Sequence, residues 1–295
     1  MMSIIFGVIE EGLVYAIMAL GVYITYKILD FPDLSVDGTF PLGGAITAVL
    51  VLAGVNPLIA LLLAFIAGAL AGCITGIIHV KLKVRDLLSG IIVMTALYSV
   101  NLRLVGKSNV AFFNSDSIFE NPFINKIMPQ GLSEVSVIAI LVVIVLIVKI
   151  LLDLFLKTRS GYLLRAVGDN ETLVTSLAKD KGTVKILGLS IANGLAALAG
   201  SVYCQQNGFF DISMGTGTIV IGLANVIIGT KLLKRFGAIK ATTAVIVGSI
   251  VYKACVSLAI FFGMEASDLR IITSALFLGI LVISNGREKK VKNHA

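Results

Sequence analysis

The chain has 295 residues, of which 57% are hydrophobic and only 14% are charged, and its formal net charge is +7. A soluble protein of this length could not bury so much apolar surface, so an ordinary globular enzyme is excluded. The basic residues lie mostly at the ends of apolar runs, which is typical of membrane orientation signals and not of nucleic-acid binding.

Repeated apolar runs of about 20 residues predict an all-α polytopic membrane protein. The second and seventh runs are short and rich in glycine, so each is either a short tilted span or a re-entrant half-helix. In the third run, small residues recur every four positions from Ala60 to Gly76 and predict close helix packing. The approximate limits of the segments are 4–27, 40–55, 57–79, 86–104, 134–156, 184–206, 216–231, 239–262 and 268–285.

The distribution of the 24 lysines and arginines predicts the orientation in the membrane. Most of them fall on the side that holds the long basic loop 157–185, whereas the opposite side holds Lys107 and Lys126. By the positive-inside rule the first side is cytoplasmic. The N-terminus is then expected outside and the C-terminus inside.

A weak internal repeat pairs segments one to four with segments six to nine. Gly38-Thr39 matches Gly217-Thr218, and Asp86-Leu87 matches Asp268-Leu269, at a nearly constant offset. Since segment one runs inward and segment six outward, the repeat is inverted, as in many transporters; similar composition of two Gly-rich helices is the alternative. The predicted parts are a first repeat (1–104), an external loop (105–133), a linking helix (134–156), a cytoplasmic loop (157–185), a second repeat (184–286) and a basic tail (287–295).

Polar side chains at helical spacing mark candidate pathway positions within the apolar segments. Met94, Tyr98 and Asn101 share one face of segment four, Asn193 lies in segment six and Asn225 in segment seven. Amides in lipid need polar partners, so these faces either line a translocation route or hydrogen-bond between helices. The sequence leaves both interpretations open.

Three carboxylates, Asp30, Asp33 and Asp37, crowd the segment that follows the first span. Pro32 and Pro41 are expected to break helix there, and the carboxylates to cap the helix that follows. A metal site is not predicted, because the trio comes from one loop without histidine. The three cysteines lie far apart in apolar runs, so no disulfide framework is predicted either.

The cytoplasmic loop 157–185 carries a pattern typical of a short amphipathic helix. Asp169 or Asn170 can cap its start, and Leu173 and Leu177 form an apolar stripe four residues apart. The helix would lie across the mouth of the bundle; a basic loop on anionic lipid is the alternative. No phosphate-binding loop and no nucleophile–base pair appears in the chain, so it has no predicted catalytic residue or cofactor, and chemical energy must come from a partner.

The same loop, TRSGYLLRAVGDNETLVTSLAKDKG, resembles the cytoplasmic loop of permease subunits of ABC importers related to branched-chain amino-acid permeases. The matching residues are Thr158, Arg159, Gly161, Arg165, Ala166, Gly168 and Asn170. The strings GVYITYKILDFPDLSVDGTFPLGGA and GIIVMTALYSVNLRLVGK resemble a branch of that family often labelled tryptophan/tyrosine-type. Other branches carry a segment with Asn and His where Pro32 to Gly38 stands, which disfavours a leucine-type substrate.

The resemblance implies a type II, vitamin B12-type importer fold with inverted four-helix repeats, embedded in the lipid of a bacterial inner membrane. It implies a homodimer, a separate ABC ATPase and an extracytoplasmic substrate-binding (lipo)protein that delivers an amino acid or related solute. It also implies that the ATPase docks on a coupling segment containing Arg165, Gly168, Asp169, Asn170, Leu173 and Leu177.

Two other functions fit the residues without the resemblance. An ion- or proton-coupled secondary transporter would use the carboxylates from Asp30 to Asp37 for coupling and would need no ATPase. A structural membrane scaffold would leave the aligned amide faces unexplained.

Overall fold

The computed structural model describes residues 2–120, 133–170, 180–233, 239–263, 268, 271, 273–275, 277–279 and 282. The helices are α1 (Met2–Val22), which continues as a π-helix over Tyr23–Ile28, α2 (Val36–Leu52), α3 (Pro57–Val80), α4 (Asp86–Val105), α5 (Ser133–Phe155), α6 (Arg159–Asp169), α7 (Lys181–Asn207), α8 (Thr218–Leu232) and α9 (Ala241–Phe261). Two short strands are β1 (Asn109–Ala111) and β2 (Phe209–Asp211), the second followed by a 3-10 turn over Ile212–Gly215.

The described part of the chain contains seven helices that are long and apolar enough to cross a membrane. This confirms a polytopic helical membrane protein. Helix α2 has 17 residues, which confirms that this apolar segment is short. The ninth predicted segment, 268–285, lies mostly outside the described residues.

Helix α7 is the centre of the bundle, packed between α1, α2 and α3. The small-residue ridge of α3 lies directly on it. A Cβ added to Gly68 would come within 2.5 Å of the Asn193 carbonyl oxygen, and one added to Gly72 would overlap the Leu189 carbonyl. The predicted close packing of this ridge is therefore confirmed, because no larger side chain would let the two backbones approach so closely.

Helix α2 runs alongside the C-terminal half of α7 in the same direction. Thr39 faces Asn193, which is near the middle of the 27-residue helix α7, and Thr47 faces Ser201 two turns further along. Helix α8 begins at Thr218, whose hydroxyl contacts Asp37 in the first turn of α2. The two short helices thus begin next to each other, deep inside the bundle.

The C-terminal ends of α4 and α7 are followed by two strands that pair in a small sheet, which the sequence did not predict. Strands β1 and β2 pair antiparallel with Val110 opposite Phe210, and the Asn109 amide donates to Asp211 at 3.0 Å. The strands belong to two loops that were both assigned to the outer side from charge counting. Their pairing requires that the two loops lie on the same side of the membrane.

The orientation remains a prediction, and accessible cysteines can test it. With the three native cysteines replaced by alanine, Asn114→Cys is expected to react with a membrane-impermeant maleimide in intact cells. Lys157→Cys is expected to react only after permeabilisation, since both side chains are exposed and only their side differs. A probe at Ser117 would be shielded, because Ser117 is only 8% exposed. The opposite labelling pattern would reverse the orientation derived from charge.

Candidate functional site

A fully buried polar cluster lies where α2 begins beside the middle of α7. The Asn193 amide nitrogen donates to Asp33 Oδ2 at 2.7 Å and to the Leu189 carbonyl at 3.1 Å. Its oxygen lies 2.6 Å from the Thr39 hydroxyl and 3.0 Å from the Ser35 hydroxyl. Both donors and the acceptor of this amide are therefore satisfied by protein, as a polar group in an apolar interior requires.

Asp33 organises the extended segment that leads into α2. Its Oδ1 accepts from the Ser35 amide at 2.9 Å and lies 2.5 Å from the Ser35 hydroxyl, while Oδ2 accepts from Asn193. Because the Ser35 hydroxyl has one proton, it donates either to Asp33 or to Asn193. A buried carboxyl group is tolerated in this position because several donors surround it.

Asp37 caps helix α8 from the first turn of α2. Its two carboxylate oxygens accept from the backbone amides of Gly217 at 3.0 Å and Ile219 at 2.8 Å, and from the Thr218 hydroxyl at 2.8 Å. A carboxylate at this end also faces the positive end of the helix dipole. The N-terminus of α8 is thus already occupied by a side chain of the protein.

The acidic segment differs from its prediction in two respects. Asp37 was expected to cap the helix that follows it, but it lies inside that helix and caps α8 instead. Pro41 also lies inside α2 and does not precede it. Asp30 is exposed at a left-handed turn with φ 52°, away from the roles of Asp33 and Asp37. Among the described residues, no group of His, Cys, Asp and Glu could hold a metal ion.

The predicted pathway face of α4 is divided between the interior and the surface. Asn101 is fully buried, and its amide donates to the Gly38 carbonyl at 3.1 Å. Tyr98 is 55% exposed, and Met94 is half-buried against Gly38. Asn101 therefore attaches α4 to α2, whereas Tyr98 points away from the bundle.

The exposed surface of α4 around Tyr98 carries hydroxyl groups between apolar side chains such as Ile92 and Val100. Thr95 and Ser99 are exposed beside it, so three hydroxyl-bearing side chains share this surface, which we call the α4 hydroxyl face. The exposed surface of α3, by contrast, is formed by apolar side chains such as Leu62 and Leu70. A polar face of this kind suits contact with water or protein better than contact with acyl chains.

Asn225 is the third predicted amide, and it lies in α8 against Gly248 of α9. The residue is fully buried, and neither atom of its amide has a hydrogen-bond partner among the described residues. An unsatisfied buried amide costs about 1–3 kcal/mol. Asn225 therefore differs from Asn193, whose side-chain amide has hydrogen-bond partners for both donors and for its oxygen.

The loop between α5 and α7 begins with a helix that the sequence did not predict. Helix α6 (Arg159–Asp169) is capped by the Thr158 hydroxyl, which accepts from the Gly161 amide at 3.3 Å. Asp169 and Asn170 were expected to start a helix, but they end α6, and the Asn170 amide bonds to the Ala166 carbonyl at 2.9 Å. Leu173 and Leu177 lie outside the described residues.

Helix α6 lies against the π-helical end of α1 and the beginning of α7. Leu164 is fully buried beside Leu29 and Gly188, and the next residue, Arg165, is exposed. Gly168 touches the Ile28 carbonyl at the end of the π-helix so closely that an added Cβ would overlap the carbonyl oxygen. Movement of α6 would therefore act directly on the end of α1.

Similarity to known proteins is consistent along almost the whole chain. A family model described as branched-chain amino acid transport system / permease component matches residues 4–284. The tyrosine transport system permease protein of Clostridioides difficile is 48% identical over 284 residues, which cover 96% of this chain and 92% of that protein. The ribose import permease protein RbsC of Escherichia coli K12 is 28% identical over 242 residues, which cover 81% of this chain and 73% of that protein.

A more distant relative is the autoinducer 2 import system permease protein LsrC of Salmonella paratyphi B. It is 24% identical over 287 residues, which cover 95% of this chain and 77% of that protein. No solved structure gives a significant match. The named relatives differ in solute, so the similarity describes a transport architecture more closely than it describes a substrate.

Proposed function

The chain belongs to the family of permease components of branched-chain amino acid transport systems, and we propose on that premise that it is the membrane subunit of an ATP-driven ABC importer for a small solute. The solute is proposed to be an amino acid with an aromatic side chain or a related compound, because the tyrosine permease is 48% identical over nearly the full length. ATP hydrolysis belongs to a separate subunit, and an extracytoplasmic binding protein supplies the solute.

The α4 hydroxyl face is the observation that supports a pathway on this chain. We propose that a second copy covers this face in a homodimer and that the solute passes between the two copies, past Met94 and Tyr98. Hydroxyl groups that would be poorly placed against lipid then line a hydrated route. Asn101 lies on the buried side of α4 and attaches this helix to α2. The side-chain amide of Asn225, which has no partner among the described residues, is proposed to face a hydrated part of the route.

The arrangement of α2 and α8 supports an inverted repeat. Both are short, both begin deep in the bundle, and Asp37 beside Gly38-Thr39 binds the matching Gly217-Thr218 directly. Broken helices that meet near the bilayer midplane are typical of transporters. The carboxylates cap helices and bond to an amide, which favours an importer over a secondary transporter that would need them for ion coupling.

Coupling is proposed to occur through α6 and the segment that follows it. Arg165 is exposed for contact with the ATPase, and Gly168 connects the segment to α1. Asp169 and Asn170 lead into the stretch with Leu173 and Leu177, the proposed apolar contact. At the other end, Asp180 caps α7 through the Thr183 hydroxyl and the Gly182 amide, and these hydrogen bonds hold the pKa of Asp180 below its ordinary value.

A cross-linking experiment tests the proposed pathway between two copies. In a background without native cysteines, Tyr98→Cys is expected to form a disulfide-linked dimer in membranes treated with a mild oxidant. Leu70→Cys, which is 61% exposed on α3, is the matched control and should stay monomeric. Added substrate should slow maleimide labelling of the Tyr98 variant alone. Efficient cross-linking of the Leu70 variant and none of the Tyr98 variant would place the interface, and with it the route, on another face.

A further inference from the structure

A pocket of about 190 Å³ opens on the outer side of the molecule, at the end of α7. One wall is the segment 112–120 that follows β1, a second is the end of α7, and Val137 of α5 contributes a third. The lining residues are Phe112, Phe113, Ser115, Ser117, Phe119, Glu120, Val137, Gln205, Gln206, Asn207 and Gly208. Three aromatic rings and a set of amides thus meet around one small cavity.

The side-chain amides of this pocket help to build it. Gln205 donates to the Pro57 carbonyl at 3.2 Å and accepts from the Ile118 amide at 3.0 Å, which attaches the segment to α7. Asn207 donates to the Tyr203 carbonyl at 2.8 Å. The Ser117 hydroxyl accepts from the backbone amide of Glu120 at 3.0 Å. Each of these side-chain amides therefore uses one of its two N–H groups to hold the pocket together.

Two acceptors at the pocket have no partner among the described residues. Gln206 donates to Glu10 at 2.9 Å, but its own side-chain carbonyl oxygen is fully buried and accepts no hydrogen bond from the described part of the chain. Glu120 is exposed at the rim, and its carboxylate makes no hydrogen bond or ion pair with the described residues. None of the described residues that line the pocket is a lysine or an arginine. A positively charged donor fits this arrangement, whereas an anionic group would meet the Glu120 carboxylate at the rim.

We propose that the pocket receives a lysine or arginine side chain of the extracytoplasmic substrate-binding protein; this inference rests on the importer function proposed above. The cavity is smaller than the roughly 300–1,000 Å³ of drug-sized ligand sites and suits one long side chain. The rings of Phe112, Phe113 and Phe119 contact its methylene stem and face its cation. The Gln206 oxygen and the Glu120 carboxylate accept from its charged end.

A free amino acid is a poorer occupant for a chemical reason. It would bring a carboxylate as well as an ammonium group, and that carboxylate would lie close to the like charge of the Glu120 carboxylate at the rim. A basic side chain on a protein brings only donors. The outer loops described here carry a single lysine, Lys107, so a basic patch on the partner also complements the charge of this surface.

Binding measurements on the assembled importer test this inference. The assay uses two partners from the same importer, which are the permease–ATPase complex in nanodiscs and the soluble domain of the binding protein. Glu120→Gln is expected to weaken Kd about tenfold at low salt and to flatten its salt dependence, because an ion pair at a rim is screened by salt. Gln206→Met, which removes the orphan acceptor, should also weaken binding. Asp116→Asn is the matched control, since Asp116 is exposed in the same segment but does not line the pocket.

The outcomes separate this inference from the function on which it rests. Unchanged Kd in both pocket variants, or equal weakening by Asp116→Asn, would overturn the pocket and leave the importer assignment intact. The same holds if Glu120→Gln leaves Kd for the binding protein unchanged but raises KM for the transported solute, because the pocket would then hold free solute. No binding by the unmodified complex would instead overturn the importer assignment itself.

Discussion

Replacement of Asn193 by leucine is expected to destabilise the folded protein by about 2–4 kcal/mol. Leucine removes the donor to Asp33 and the acceptor for Ser35 and Thr39, and it leaves a carboxyl group buried in an apolar interior with fewer partners. The start of α2 would lose its attachment to α7. We expect a lower melting temperature in detergent and a loss of monodisperse protein in size-exclusion chromatography.

Asn225→Leu is the matched control for this substitution. It makes the same chemical change in a residue that is equally buried, but the Asn225 amide has no partner among the described residues. Its removal should leave stability unchanged or slightly raised, because no hydrogen bond is lost. Transport should still fall if the amide faces the route. Equal melting temperatures for the two variants would show that the Asn193 cluster does not hold α2 in place.

The second large effect is expected at Gly168, near the end of α6. Any side chain there would overlap the Ile28 carbonyl, so Gly168→Val must displace α6 from the end of α1. We expect substrate-stimulated ATP hydrolysis and transport to fall at least tenfold, about 1.4 kcal/mol of coupling or more. The variant should still insert in the membrane, since the spans themselves are unchanged. Transport into vesicles and co-purification of the ATPase measure the effect.

Two further variants make this result interpretable. Gly7→Ala is the control, because Gly7 also lies in a helix but an added Cβ would meet no atom within 4 Å. It should transport normally. Leu173→Asp is expected to lose ATPase binding directly, since an apolar anchor in a desolvated contact contributes about 2 kcal/mol or more. Normal coupling in both Gly168→Val and Leu173→Asp would mean that the ATPase docks on another part of the chain.

Much of the helical framework could be predicted from the sequence, because it depends on local properties. Hydropathy and glycine content located the short helices α2 and α8 within a few residues, since each backbone in lipid must satisfy its own hydrogen bonds in a helix. The spacing from Ala60 to Gly76 predicted the packing face of α3 for the same reason. The pattern after Lys157 was less informative, because an amphipathic stripe does not show where one short helix ends and the next begins.

The candidate site required the tertiary structure. Asp37 and Gly217 are 180 residues apart in the chain, and nothing in either segment says that the carboxylate caps α8 and not its own helix. Asn101 and Tyr98 are three positions apart on α4, yet one is buried and the other exposed, because α2 covers only part of that helix. The outer pocket likewise exists only where the segment after β1 folds over the end of α7. The sequence by itself determined which stretches are helices in a membrane, because local apolarity and spacing are enough to form them. Only the packing of those helices decided the partner of each buried polar group, because hydrogen bonds between distant segments depend on where those segments lie in space.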